Sequence, residues 1–172
     1  SIGVSALFVV IATLSDSKGI FISIAMVILG LVLFIKPIYI FDICLNFIIP
    51  GIIIGMITKN VLNHREDNKY NPIFMGTIAF IIGLIANYLI SKYLFNINIL
   101  EEFTSVMKTQ LSTQISAIQE SVSSLASVSN ITEESIIQTV LNIMPLILFS
   151  RSIMLSILTY FLAIYTLKKI RK

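Results

Sequence analysis

Between Gly19 and Asn60 the chain carries only three charged side chains, Lys36, Asp42 and Lys59. The remainder reads GIFISIAMVILGLVLFI, then PIYIF, then ICLNFIIPGIIIGMIT. A water-soluble domain does not place that much apolar sequence on consecutive residues. A bilayer core about 30 Å thick takes roughly 20 apolar helical residues per crossing. The stretch supplies two crossings, parted at Lys36-Pro37. The sequence therefore predicts an all-α, polytopic membrane helix bundle whose solvent is lipid.

Composition supports that reading. Hydrophobic residues make up 56% and charged residues 12%, where soluble domains have about a quarter charged. The net charge of +3 is too small to suggest a nucleic-acid partner. The basic residues gather at the ends of apolar runs, which suits a membrane surface. The single cysteine, Cys44, lies inside an apolar run. It excludes an intrachain disulfide and any multi-cysteine metal site, and reads as a small buried apolar side chain. A start at Ser1 without methionine points to a processed, tagged or truncated N-terminus.

Five spans are expected. Ile2–Leu14, at about 20 Å, is too short to cross fully unless residues precede it. Gly19–Ile35, Ile38–Ile57 and Pro72–Leu94 follow, and the last span runs from about Ile137 to Leu167 with Pro145 and Arg151 inside it. Basic residues orient the bundle. Lys168, Lys169, Arg171 and Lys172 mark the C-terminus as cytoplasmic, and Lys59, Arg65 and Lys69 mark the link after the third span. The long link after the fourth span has Lys108 alone against Glu101, Glu102, Glu120, Glu133 and Glu134, so it belongs outside. A sixth helix before Ser1 would put both termini in the cytoplasm. Residues 1–172 read as one transmembrane helical domain, with residues 97–136 an extracytoplasmic amphipathic insertion.

Within that insertion Phe103, Met107, Leu111, Ile115, Ile118, Val122 and Leu125 recur at spacings of four or three. They form one apolar stripe on a helix, which either packs on the outer face of the bundle, closes as a lid over a site, or pairs as a coiled coil. Asn130 or Thr132 can cap the final helix, with Glu133 and Glu134 in its first turn. Small residues mark close helix contacts. Gly51 and Gly55 are four apart, and Gly76, Ala79, Gly83 and Ala86 line the next span. The third and fourth spans are expected to pack as neighbours through them. Pro50 should kink the third span, freeing a carbonyl near Asn46 that then needs a partner.

Depth follows from helix rise. Asp42 is 17 residues from Lys59, and Arg151 is 17 residues from Lys168. At about 1.5 Å per residue each sits roughly 25 Å above the inner surface. Asn46 lies one turn below Asp42 on the same face, and Asn87 falls near 22 Å along the fourth span. Asp42, Asn46, Asn87 and Arg151 are thus candidate ligand-binding residues just below the outer surface, with Lys92 a turn higher. Three readings stand for this level: arginine and lysine snorkelling to headgroups, a structural Asp42–Arg151 ion pair, or an outward-facing ligand pocket.

Catalytic signatures are absent. His64 is the only histidine, in a charged link, and there is no G-x-x-x-x-G-K-[ST], H-E-x-x-H or G-x-S-x-G motif. The expectation is a non-enzyme with no cofactor and no metal, unable to hydrolyse ATP itself.

The order PGIIIGMITKN, a charged link, MGTIAFIIGLIANYLISKYLFNINIL, a long amphipathic insert, and a final Pro-containing span ending in KKIRK resembles the YybS-like family of uncharacterised bacterial membrane proteins. The resemblance covers roughly Phe41 to Lys172. Its most specific pieces are Pro50-Gly51 with Gly55, the run Gly76 to Asn87, and Phe95-Asn96-Ile97-Asn98. That family is distantly similar to the substrate-binding S-components of energy-coupling-factor transporters and to MreD-type proteins of the cell-shape machinery. The resemblance implies an S-component-like bundle of about six helices in the bacterial inner membrane. It also implies either a small-molecule ligand near the outer face or a non-transporting scaffold. S-components dock on a transmembrane coupling subunit with ATPases through alanines at four-residue spacing on their first helix. No such run occurs in Ile2–Leu14.

Overall fold

The computed structural model describes residues 2–63, 68–121 and 133–170, and every regular element among them is helical. The helices are α1 (Ile2–Leu14), α2 (Ser17–Val32), α3 (Pro37–Ile43), α4 (Ile49–Asn63), α5 (Asn71–Leu94), α6 (Ile99–Ser121) and α7 (Glu133–Ile170). Between α3 and α4, Cys44–Ile48 form a wider turn of π-helix type, so Pro37–Asn63 is one continuous rod of 27 residues. That rod, α5 and α7 are each long and apolar enough to cross a membrane. α1 and α2, with 13 and 16 residues, are shorter apolar helices.

Local chemistry sets the boundaries. α3 and α5 both open with proline in their first turn, where a missing N–H costs nothing. The Asn68 side chain accepts the Tyr70 N–H at 3.1 Å and turns the chain into α5. α5 stops at Asn96, whose φ of 53° is left-handed, and the Ile97 N–H folds back to the Ser91 carbonyl at 2.9 Å. This is a left-handed helix cap one residue wider than a Schellman motif, with asparagine in the place usually given to glycine. At the end of α1, Lys59 Nζ donates to the Ser15 carbonyl at 2.8 Å and lies 3.8 Å from Asp16. The cation satisfies a carbonyl at the negative end of the helix. It also places the α1–α2 turn at the same end of the bundle as Lys59.

The bundle is organised around α1, not around the third and fourth spans alone. α1 buries Ser5, Ala6, Phe8, Val9, Ala12 and Thr13, whereas α2 buries nothing. Gly51 and Gly55, expected to meet the fourth span, face α1 instead. A Cβ on Gly51 would lie 2.6 Å from the Ser5 carbonyl, and one on Gly55 2.6 Å from the Ala12 Cβ. The fourth span meets the third through other atoms: Gly76 abuts Ile54 of α4 and Ser156 of α7, and Gly83 abuts the Leu45 carbonyl. Ala79 is buried on the same helix. Val9, Ile54, Phe80 and Ala163, from four helices, form a small apolar core.

Several buried hydroxyls bond to helix carbonyls, whereas Ser5 Oγ and Thr159 Oγ1 are buried without a partner. Thr58 donates to Ile54, Thr77 to Ile73, and Thr13 to Val9. Ser156 bridges helices by donating to the Ile73 carbonyl at 2.7 Å. Without water these are the acceptors within reach. Phe103 and Met107 of the expected α6 stripe are half-buried. The rest of that stripe, Leu111 to Leu125, lies outside the described side chains, as His64, Arg65, Asn130 and Thr132 lie outside the described residues.

Candidate binding site

Pro50 begins the site. A proline has no N–H to return to the preceding turn. The Ile49 N–H, which an α-helix would give to Leu45, goes to the Cys44 carbonyl instead. Pro50 is the next residue and has nothing to donate. The Leu45 carbonyl therefore receives neither the i+4 nor the i+5 hydrogen bond. The sequence places the freed carbonyl near Asn46 by assuming a regular ladder; the wide turn shifts it by one residue. Gly83 sits directly against that oxygen, and only a residue without Cβ permits the approach.

One turn beyond Gly83 on α5 is Asn87, and one turn before Asn46 on the rod is Asp42. The close approach brings them together. Asn87 Nδ2 donates to Asp42 Oδ1 at 2.8 Å, and Asn46 Nδ2 donates to the same oxygen at 2.6 Å. Asn46 is 6% exposed, while Asp42 and Asn87 are half-buried. Phe41 packs edge-on against Phe95 at 6.0 Å, tying the rod to the turn that ends α5. Beyond it, the Asn98 carbonyl accepts the Glu102 N–H as α6 begins, and Asn98 Oδ1 is buried without a partner. Ser91, a further turn along the face of Gly83 and Asn87, is also buried.

A family model described as "Predicted membrane protein (DUF2232)" matches residues 2–172. The chain belongs to the DUF2232 family. No curated protein and no solved structure matches it. Membership and the long apolar helices together make this DUF2232 protein a helical membrane protein.

Three of its four expected polar residues meet, and Arg151 does not join them. Arg151 is exposed, and among the described residues no ion pair links it to Asp42. The reason is register. Ser156, five residues on, is bonded to Ile73 near the start of α5. Asn87 lies 14 residues further along that helix, about 21 Å from this contact, and the five residues from Ser156 back to Arg151 recover only about 7.5 Å of that along the antiparallel α7. Counting back from Lys168 assumed that α7 is a simple crossing, but α7 has 38 residues and exceeds a bilayer core by about 25 Å. Lys92 turns to the Tyr88 and Tyr93 rings, 5.9 and 5.8 Å from their centroids, rather than to Asp42.

Beyond the predicted residues, Ser91 is buried a turn past Asn87 and the Leu45 carbonyl is left free by the wide turn. Gly83-x-x-x-Asn87-x-x-x-Ser91 at helical spacing is the signal for the first, and Pro50 five residues after Leu45 is the signal for the second.

Proposed function

We propose that this DUF2232 protein is a substrate-binding membrane subunit, similar in role to transporter S-components, that holds a small molecule beside Asp42, Asn46 and Asn87. The observation that carries the proposal is one carboxylate in an apolar span, gripped by amides from two helices at a π-type turn. Ionisable groups in membrane segments are costly and commonly mark ligand or ion paths. π-type turns recur at functional sites. The two amides fix the carboxylate before any ligand arrives, which lowers the cost of binding. In this reading the cluster opens to the outer side of a bacterial inner membrane, and Lys59, Lys69 and the basic C-terminal turn lie in the cytoplasm. Energy for uptake would come from a transmembrane coupling subunit with ATPases.

The second reading is a non-transporting, MreD-like scaffold. The Asn87–Asp42 bond favours it, because polar pairs between membrane helices also serve simply to join them.

Native mass spectrometry separates the two. Under the binding reading, protein extracted gently from its own membrane carries a non-lipid small molecule or ion, and Asp42→Asn does not. Identical bound species on both proteins, with only stability lowered in the variant, would leave the scaffold.

A further inference from the structure

We infer that the ligand taken by the Asp42 cluster is a small cation, either a protonated amine or an alkali metal ion. The inference rests on the binding reading above and adds the chemical class.

A carboxylate accepts hydrogen bonds and an amide has one donating and one accepting end. Asp42 therefore dictates how both asparagines turn. Each must point Nδ2 at Oδ1, as the 2.6 and 2.8 Å contacts show. The oxygens left over are Asp42 Oδ2, Asn46 Oδ1 and Asn87 Oδ1, and among the described residues none accepts a protein hydrogen bond. Each amide keeps one further N–H, but the only full charge in the group is negative.

Among the described residues no cation pairs with that charge. Among the described residues the ion pair present is Lys59–Asp16, at the other end of the rod. Lys92 lies against tyrosine rings. Lys36 is exposed at the cap of α3. Arg151 is exposed and unpaired with Asp42. A carboxylate in a low-dielectric span is strongly favoured by an adjacent positive charge. Carboxylate and amide oxygens are the hard donors that alkali ions and ammonium groups share. An anionic ligand would instead meet uncompensated repulsion.

The test is thermal unfolding in a neutral detergent, at constant ionic strength and pH. Sodium, potassium and methylammonium chlorides are compared with tetramethylammonium chloride, which is bulky and has no N–H. At about a hundredfold excess over its dissociation constant, a bound cation should raise the midpoint by about 5–10 °C. A response to sodium or potassium identifies a metal ion, and one confined to methylammonium identifies an amine. Asp42→Asn should abolish the response. Asn87→Asp, which adds a second carboxylate, should make stability depend more steeply on the cation, and it decides the matter if Asp42→Asn fails to fold. Midpoints that match tetramethylammonium in every salt, for both the wild type and Asn87→Asp, would overturn the cation. A neutral or anionic molecule lost from Asp42→Asn in native mass spectrometry would also overturn it, while leaving the binding reading intact.

Discussion

Replacing Gly83 by alanine should damage the polar cluster from a full helical turn away. An alanine Cβ there would overlap the Leu45 carbonyl oxygen. A carbon needs about 3.3–3.6 Å from a carbonyl oxygen, and Leu45 offers backbone that cannot swing aside. α5 must therefore retreat by about 1 Å. Asn87, one turn on, retreats with it. Its bond to Asp42, now 2.8 Å, would stretch to about 3.8 Å, outside hydrogen-bonding range. Losing a hydrogen bond to a charged group costs about 1.5–3 kcal/mol, and the overpacking costs about 1–3 kcal/mol more. Alanine regains about 1 kcal/mol through helix propensity. The net is a loss of about 1.5–5 kcal/mol, or about 3–20 °C in midpoint.

Gly30→Ala is the matched control. It makes the same change inside α2, where a Cβ would meet nothing within 4 Å, so only the propensity gain of up to about 1 kcal/mol remains. The two variants should move in opposite directions in thermal denaturation followed by far-ultraviolet circular dichroism. A Gly83→Ala protein as stable as Gly30→Ala would refute the close approach of α5 to the wide turn.

Two further substitutions probe the rest of the bundle. Gly55→Leu should separate α1 from α4, because even its Cβ would lie 2.6 Å from Ala12 Cβ and 2.7 Å from the Val9 carbonyl; a loss above about 3 kcal/mol is expected in the same assay. Arg151→Leu should leave the midpoint within about 0.5 kcal/mol of wild type, since its side chain is exposed and makes no ion pair with Asp42; a large loss would restore the pair.

The long apolar helices were legible because hydrocarbon imposes length and composition together. Pro37–Asn63 and Asn71–Leu94 appear close to where residue counting puts them. The Asp42–Asn46 contact was legible for a similar reason, since four residues along a helix return a side chain to one face. Asn87 was reached by rise alone. Arg151 was misplaced because rise gives depth only where a helix ends at the membrane surface, and α7 runs for 38 residues. The partner of Gly51 and Gly55 was unreadable for another reason. Small residues say that a backbone comes close, but not whose. α1 has only 13 residues, fewer than a full crossing takes. Its alternation of alanine, serine and bulky residues nonetheless makes it the most enclosed of the short helices.

The wide turn explains why Asp42 faces α5 at all, and it can be tested by shortening the chain. Successive residues in an α-helix turn by about 100°. Ile54 faces Gly76 of α5. Asp42 lies 12 residues earlier, so a regular helix would set it about 120° away from that face. The π-type turn holds one extra residue, leaving 11 effective steps and an offset of about 20°. By the same count Asn46 moves from about 80° to about 20°. Deleting Phe47, which lies within the turn, should thus convert it to ordinary α-helix while leaving Asp42 and Asn46 in phase with Ile54. Pro50→Ala must accompany the deletion, because proline would obstruct the regular ladder. Deleting Ile52, within regular α4, should instead rotate the whole polar face by about 100°. The Phe47 deletion with Pro50→Ala should keep its midpoint within about 5 °C of wild type, with the Asp42–Asn87 bond intact as judged by the penalty of an added Asn87→Leu. The Ile52 deletion should fall further and show no such penalty. Equal behaviour of the two deletions would mean that the extra residue does not set the phase of Asp42.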